Sequence, residues 1–195
     1  MSVHIFAKQI STAAATFAFT LVTLLSFSTP ARSEVQEAVE YIALGPGPWD
    51  YDAALFVTSF PDEIAALDGG AFGGAWQRTG EVFKVWSGPE NGALPTCRFV
   101  STWWGASHVY TPYAAECAAV KANPYWQYEG IAFYLQVPDE NGNCPIGTTV
   151  LYRISYELDD VHRLTTRPPP LDQLLAAGGV FEGDGRTFAF ACVPS

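Results

Sequence analysis

Apolar residues recur along the chain with a period of about fifty residues. Three segments read as a strand that runs into a short helix: residues 54–67, 107–120 and 161–175. When they are aligned on Thr58, Thr111 and Thr165, each has apolar residues six and nine positions further on, so one stripe of each helix is apolar. Helices this short are not stable alone. The pattern therefore predicts three copies of one unit, with each helix lying on a sheet.

A second pattern, typical of β-strands, follows the predicted helices. Residues 76–86 and 126–136 both begin with Trp, have Gly at the fifth position and then alternate β-forming residues. A weaker third version has Phe181 as its aromatic residue and Gly185 as its glycine. Alternation behind a fixed glycine predicts a strand that is entered through a tight turn or bulge.

Loops rich in Gly, Pro and Asn then lead to a closing strand in the first two units, at residues 96–99 and 151–154. The expected fold class is α+β and mainly β, because each unit contributes several strands and one short helix. We predict three strand–helix–strand–strand repeats around a pseudo-threefold axis.

The N-terminal residues predict a segment that is removed on export. Residues 1–33 have a basic start, a long stretch that is uncharged and mostly apolar, and small residues at their end, as in a secretory signal peptide. Residues 34–50 are expected to form a linker and a first strand. A single repeat domain then spans residues 51–195, with units at about 51–99, 100–154 and 155–195.

Charge narrows the choice of partners for the exported chain. The predicted leader holds two of the ten basic residues and no acidic one, which leaves eight basic against twenty acidic residues, a formal charge of −12. Such a chain repels phosphate backbones, so nucleic acid and anionic membrane surfaces are poor partners. No segment after the leader is long and apolar enough to span a bilayer. We expect a periplasmic or extracellular protein without a membrane span after cleavage.

The four cysteines, Cys97, Cys117, Cys144 and Cys192, all follow the leader. In an exported protein an even number of cysteines implies disulfides, here two bridges with three possible connectivities. We favour Cys97 with Cys117, within one unit, and Cys144 with Cys192, which fastens the C-terminal strand. No pair has the C-x-x-C spacing of a zinc or redox site, so we expect neither a metal nor a cofactor.

An acidic and a basic residue recur together in the units. Glu63 and Glu116 occupy the same helix position, and Arg98 and Arg153 occupy the same place in the closing strand. The third unit has Pro170 at the Glu position and ends before an Arg. We therefore predict two structural ion pairs, Glu63 with Arg98 and Glu116 with Arg153, because guanidinium holds a carboxylate with two hydrogen bonds. The alternative is that these residues are solvated surface charges.

Several phrases of the middle unit resemble those of a known family. They are HVYT at residues 108–111, EC at 116–117, WQYEGIAFY at 126–134, CPIGT at 144–148 and YRIS at 152–155. These phrases are similar to the recurring phrases of the bacterial repeats known as domain-of-unknown-function family 5648. The family has no established activity, so the resemblance implies an exported accessory or binding module.

Aromatic residues are the main candidates for ligand contact. Trp103 and Trp104 fall in a predicted turn, where adjacent residues cannot both point inward, so at least one is expected to be exposed. Together with His108, Tyr113 and Tyr125 they are the candidate ligand-binding residues, for a sugar ring of a glycan or of another cell-envelope polymer. A Trp that only fills the gap between two units is the alternative. The predicted function is thus an exported, non-catalytic binding or scaffolding domain, and no residue is assigned a catalytic role.

An enzyme from a different class is the alternative function. A periplasmic hydrolase would use Glu116 or Glu129 as acid or base together with His108, and it would need them in one shared pocket. Equivalent positions of different units usually lie far apart, which speaks against such a site. A flat aromatic patch at Trp103 and Trp104 would favour binding instead.

Overall fold

The computed structural model describes most of the chain after the predicted leader: residues 33–44, 53–102, 107–156, 161–183 and 187–195. Residues 1–32 of the expected signal peptide lie outside the described residues, as do Trp103, Trp104 and Gly185. None of the helices among the described residues is long and apolar enough to cross a membrane.

The described residues form ten β-strands and three α-helices. The first strands are β1 (Val35–Leu44), β2 (Ala53–Thr58), β3 (Trp76–Trp86), β4 (Leu94–Ser101) and β5 (His108–Thr111). The later strands are β6 (Trp126–Leu135), β7 (Thr148–Tyr156), β8 (Val161–Thr165), β9 (Gly179–Phe181) and β10 (Ala191–Pro194). The helices are α1 (Pro61–Asp68), α2 (Ala114–Ala122) and α3 (Leu171–Ala176). The fold is therefore mainly β with three short helices, as the sequence predicts.

The strands make two sheets. Six strands pair in the order β2-β1-β3-β6-β4-β5. The second sheet has the order β10-β7-β8, and β9 also pairs with β7. The pairings within both sheets are antiparallel. Hydrogen bonds group the strands in the same way three times, since β1 pairs with β2 and β3, β4 with β5 and β6, and β7 with β8 and β9.

This grouping differs from the predicted order of strands within a unit. The predicted closing strands lie in β4 and β7, but these strands pair with the strands that follow them along the chain. The hydrogen bonds between β4 and β5 thus cross the predicted boundary between residues 99 and 100. Only residues 102–107 separate β4 from β5 along the chain, and antiparallel strands joined by a short connection pair readily. The strand β6 lies between β3 and β4 in the sheet, so β3 and β4 do not pair with each other.

The register of the pairs is also the same in the three groups. Arg98 stands opposite Tyr110 and Arg153 stands opposite Leu164. In the first group the same place is taken by Glu40, opposite Val57. These three charged side chains therefore occupy one equivalent position in β1, β4 and β7.

Three buried threonines fix the chain as it leaves the sheet for each helix. The Oγ1 atoms of Thr58, Thr111 and Thr165 each accept a hydrogen bond from the backbone N–H two residues further on, at 3.0, 3.1 and 3.0 Å. Such hydroxyl turns stabilise a change of direction. Each helix then buries one apolar residue, and these residues are Leu67, Cys117 and Leu174.

Buried apolar side chains of the strands form the main hydrophobic core. One disulfide links α2 to β4, and the other links the segment before β7 to β10. Tyr110 stacks on Phe133 with ring centroids 5.8 Å apart, and its hydroxyl bonds both the N–H and the C=O of Val57 at 2.8 Å. Tyr110 therefore joins β5 to β2 through the core. The two disulfides are those favoured from the sequence: Cys97 with Cys117, and Cys144 with Cys192.

Candidate functional site

The first charged cluster is built around Arg98 in β4. Its Nη1 and Nη2 atoms lie 2.9 and 2.8 Å from the two carboxylate oxygens of Glu63 in α1. Its Nε atom lies 3.0 Å from Oε2 of Glu129 in β6. Thr58 donates a further hydrogen bond to Glu63. The predicted pair of Glu63 with Arg98 is present, and one guanidinium also holds a second carboxylate that the sequence did not predict as its partner.

The second charged cluster repeats this arrangement around Arg153 in β7. Nη2 and Nη1 lie 2.7 and 3.1 Å from the oxygens of Glu116 in α2. Nε lies 3.0 Å from Oε2 of Glu182, the residue after β9. The predicted pair of Glu116 with Arg153 is therefore present as well. Glu182 was not singled out from the sequence, yet it takes the place that Glu129 takes beside Arg98.

Each cluster also contains a histidine and a tryptophan. His108 Nε2 lies 3.5 Å from Oε2 of Glu129, and His162 Nε2 lies 3.6 Å from Oε2 of Glu182. The Trp76 ring meets His108 at a centroid distance of 6.5 Å and 68°, while the Trp126 ring meets His162 at 6.2 Å and 74°. Two carboxylates, an arginine, a histidine and a tryptophan thus recur with one geometry.

We call these two sets the Arg98 cluster (Glu63, Trp76, Arg98, His108 and Glu129) and the Arg153 cluster (Glu116, Trp126, Arg153, His162 and Glu182). Each cluster takes its first carboxylate from one strand group and its arginine from the next. Among the described residues, no group of three or more His, Cys, Asp or Glu side chains is placed to hold a metal ion.

The position equivalent to these arginines in the first strand group has the opposite charge. Glu40 is fully buried, and the Nε and Nη2 atoms of Arg163 lie 3.2 and 3.0 Å from its oxygens. Thr79 donates to Glu40 at 2.7 Å. The third unit has Pro170 where the first two units have the carboxylate that pairs with an arginine. Here the carboxylate is Glu40 itself, and its positive partner is Arg163 of β8. The loss of the acidic residue in the third unit therefore goes with a reversed ion pair.

The carboxylates of the Arg98 cluster are held in their ionised form. Burial raises the pKa of Glu63, but hydrogen bonds from Arg98 and Thr58 outweigh it, and the pKa lies below the usual 4.5. Burial also raises the pKa of Glu129, and the hydrogen bond and charge of His108, followed by the charge of Arg98, bring it below 4.5. Neither group is therefore a proton donor near neutral pH.

The Arg153 cluster differs in its second carboxylate. Burial opposes ionisation of Glu116, and the hydrogen bond and charge of Arg153 outweigh it, so the pKa of Glu116 is also lowered. For Glu182 burial is the largest effect, the charge of Glu116 adds to it, and Arg153 does not compensate, so its pKa is raised above 4.5. The two clusters share a geometry but not a charge balance.

A cavity of about 510 Å³ opens directly onto the Arg98 cluster. The aromatic rings of Phe56, Phe72 and Trp76 form its apolar walls. Phe56 and Trp76 meet edge to face with centroids 5.9 Å apart. Phe72 is 80% exposed, and its backbone has φ 56°, an unusual conformation for a residue other than glycine. Aromatic walls beside convergent polar groups are the usual composition of a small-molecule site.

Three of the five candidate ligand-binding residues, His108, Tyr113 and Tyr125, lie within the described part of the chain. His108 is buried and lines the cavity, whereas neither Tyr113 nor Tyr125 does. The hydroxyl of Tyr113 donates to the backbone oxygen of Phe190 at 2.6 Å, and its ring packs on Phe190, so it serves the core. Tyr125 is 53% exposed at the start of β6. The prediction for Trp103 and Trp104 concerns residues that lie outside the described part of the chain.

Sequence reasoning missed the aromatic walls and Glu182. Phe56 and Phe72 do not recur in the other units, so the repeat gave no signal for them. Glu182-Gly183 matches Glu129-Gly130, but the third copy was aligned on Gly185 instead. Alignment on the Glu-Gly dipeptide would have found the second carboxylate of each cluster.

The fold and the two charged clusters define a small, disulfide-linked, mainly β domain with a pocket on one cluster. The chain belongs to the family described as a domain of unknown function, DUF5648, whose model matches residues 63–190. That range contains every residue of both clusters. Comparisons with curated proteins and with solved structures returned no match.

Proposed function

We propose that this chain is an exported, non-catalytic binding domain whose pocket beside Trp76 holds a sugar unit of a glycan or another cell-envelope polymer. The observation that carries the proposal is the cavity itself, which is lined by three aromatic rings and by the carboxylates of Glu63 and Glu129. Aromatic faces stack on the apolar side of a sugar ring, and carboxylates accept hydrogen bonds from its hydroxyl groups.

We further propose that the three strand groups are copies of one unit around a rough threefold axis. The equivalent register of Glu40, Arg98 and Arg153 supports this arrangement, as do the three buried threonines before the helices. The Arg98 cluster lies where α1 of the first group meets β4 to β6 of the second. The pocket is thus a junction between copies, where one copy supplies most of the aromatic wall.

Catalysis is less well supported than binding. A glycosidase of the usual kind needs one carboxyl group that stays protonated near neutral pH while the other is ionised. The pKa values of Glu63 and Glu129 are both lowered, so neither meets that need. Glu116 belongs to the Arg153 cluster and does not line the cavity with His108. These two carboxylates therefore favour the binding proposal over the hydrolase alternative.

Export is supported by the chemistry of the cysteines. All four are joined in two disulfides, which persist in oxidising compartments such as the periplasm or the outside of the cell. The basic and apolar residues at the start of the chain are those of a signal peptide.

Isothermal titration calorimetry of the exported protein against a panel of neutral and charged oligosaccharides tests the proposal. We expect at least one oligosaccharide to bind, and we expect Trp76→Ala to weaken that binding about tenfold, since an aromatic stacking contact is worth about 0.5 to 1.5 kcal/mol beyond its buried area. Trp126→Ala removes the equivalent Trp of the Arg153 cluster and is the matched control. The proposal is wrong if no oligosaccharide binds, or if both variants lose affinity equally.

A further inference from the structure

The charge and the aromatic walls of the cavity together identify the chemical class of its ligand. We infer that the unit held beside Trp76 carries an ammonium group, as an amino sugar with a free amine does. This inference rests on the proposed binding function and makes it more specific.

In the lining of the cavity the carboxylates are partly exposed to solvent, whereas the guanidinium is buried. The side chains of Glu63 and Glu129 are 34% and 26% exposed, whereas Arg98 is only 8% exposed. Asp62, on the exposed side of α1, adds a third carboxylate to the lining. Three carboxylates against one guanidinium leave an excess of two negative charges. A proton on His108 would reduce that excess to one without reversing its sign.

The apolar walls also suit a cation. The faces of aromatic rings attract ammonium and guanidinium groups within about 6 Å of the ring centre. One cation already uses this wall, because Cζ of Arg98 lies 5.0 Å from the centroid of Phe56. Trp76, the strongest ring type for this interaction, and Phe72 are the remaining aromatic surfaces around the cavity. A ligand ammonium would therefore meet both aromatic faces and carboxylate oxygens.

His108 contributes a buried polar atom that has no hydrogen-bond partner among the described residues. His108 lines the cavity with a side chain only 7% exposed. Its Nε2 faces Glu129, but its Nδ1 is buried and has no hydrogen-bond partner among the described residues. Buried polar atoms in folded proteins are nearly always hydrogen-bonded. A hydroxyl group of a ligand that reached this atom would satisfy it.

Other ligand classes fit the cavity less well. A phosphate or carboxylate ligand would be repelled by the excess negative charge, and the one guanidinium is already occupied by two carboxylates. A neutral sugar would donate hydrogen bonds to the carboxylates but would leave the excess negative charge of the cavity lining unbalanced. An ammonium group supplies the missing positive charge.

The Arg153 cluster does not offer the same aromatic wall. The register position of Phe56 is taken there by Val109, since Phe56 stands opposite Tyr41 and Val109 stands opposite Phe99. Val109 is also buried. The Arg153 cluster therefore has the same arrangement of charged residues without a phenylalanine ring at this position. It serves as the internal control for the role of that ring.

The test compares two tetramers of one sugar backbone that carry either a free amine or an N-acetyl group on each of their four units. The exported protein is titrated at pH 6.5 and low salt with a glucosamine tetramer and with an N-acetylglucosamine tetramer, and a third titration uses tetramethylammonium. We expect the glucosamine tetramer to bind at least ten times more tightly than the acetylated form. We also expect added salt to reduce this preference, because screening weakens charge attraction.

Two matched variants separate a role in recognition from a role in folding. Glu129→Gln removes one carboxylate of the cavity, and we expect it to reduce the preference for the amine over the acetylated tetramer by fivefold or more. Glu182→Gln makes the same change in the Arg153 cluster, and we expect the preference to be unchanged. The ratio of two affinities, measured on one sample, does not depend on how much of the variant is folded.

The outcomes distinguish this inference from the function on which it rests. Equal or tighter binding of the acetylated tetramer would overturn the ammonium inference and leave the glycan proposal standing. Binding of tetramethylammonium without either tetramer would support the inference and overturn the glycan proposal. Absence of binding by all three probes would overturn both.

Discussion

Replacement of Arg98 by Met removes the cation that two carboxylates share. Arg98 is almost fully buried, and its guanidinium contacts Glu63 through two hydrogen bonds and Glu129 through a third contact at 3.0 Å. Met keeps most of the apolar volume, so the main change is the loss of charge. In Arg98→Met, Glu63 and Glu129 both lose the guanidinium that they share, and Glu129 keeps only its contact with His108.

The size of the loss follows from the burial of the three groups. Removal of one partner of a buried ion pair costs about 3 to 5 kcal/mol. Glu63 and Glu129 are partly exposed to water, so we expect the lower end, about 3 kcal/mol. In a domain of this size that loss corresponds to a fall of about 6 to 12 °C in the melting temperature.

The dependence on pH identifies the cause. The folded-state pKa values of Glu63 and Glu129 lie below 4.5, so their contribution to stability is complete above pH 4.5 and is lost as the pH falls through those lowered values. Arg98→Met removes the largest cause of that lowering for Glu63 and, for Glu129, the contribution that follows that of His108. The difference in stability between the natural protein and the variant should therefore be large at pH 7 and narrow below pH 4.5.

Urea denaturation followed by circular dichroism measures this difference at pH 7 and pH 3.5. Arg78→Met is the control, because Arg78 pairs with Asp68 at the surface, where both side chains are more than 40% exposed. Exposed pairs contribute little. The reasoning is refuted if Arg98→Met destabilises the protein no more than Arg78→Met does, or if its effect is the same at both pH values.

Three further predictions concern the second carboxylates, the rim of the cavity and the disulfides. At pH 7, Glu129→Gln should lower the urea midpoint more than Glu182→Gln, because folding lowers the pKa of Glu129 but raises that of Glu182. The favourable contribution of Glu182 is present at low pH and is lost as the pH rises through its folded pKa. Equal urea midpoints of the two variants would contradict this prediction. Phe72→Ala should weaken oligosaccharide binding in calorimetry but change the melting temperature by no more than about 2 °C, because the ring is 80% exposed. Phe188→Ala removes another exposed ring, away from the cavity, and should leave binding unchanged. A loss of binding in both variants would argue against a role specific to the rim of the cavity. Reduction of both disulfides, which close segments of 20 and 48 residues, should lower the melting temperature by at least several degrees, because each disulfide stabilises the fold by about 3 to 4 kcal/mol. A calorimetric scan that is unchanged after complete reduction would show that the disulfides do not stabilise the fold.

The features that the sequence predicted are those that recur. Glu63 and Arg98 have counterparts at equal spacing in Glu116 and Arg153, and residues that appear and vanish together are expected to touch. Both pairs are present in the structure. The mainly β class and the disulfide between Cys97 and Cys117 follow from the same pattern of repeated strands and helices.

The features that recurrence could not predict are those that belong to one copy. Phe56 corresponds to Val109 in the second group, and Phe72 stands in a glycine-rich turn after α1 with no counterpart. Neither position therefore follows a recurring pattern from which a wall of the cavity could be predicted. The pairing of β4 with β5 was also missed, since hydrophobic alternation shows that a strand exists but does not show which neighbour it pairs with.

The claim on which the account depends is that a ligand binds against Trp76. Two-dimensional NMR of the tryptophan indole N–H groups tests it directly, during titration of the exported protein with the tightest oligosaccharide of the panel. The account predicts that the Trp76 signal, identified by its absence in Trp76→Phe, shifts with the ligand while the Trp126 signal stays in place. A Trp76 signal that does not move at saturating ligand would contradict the account.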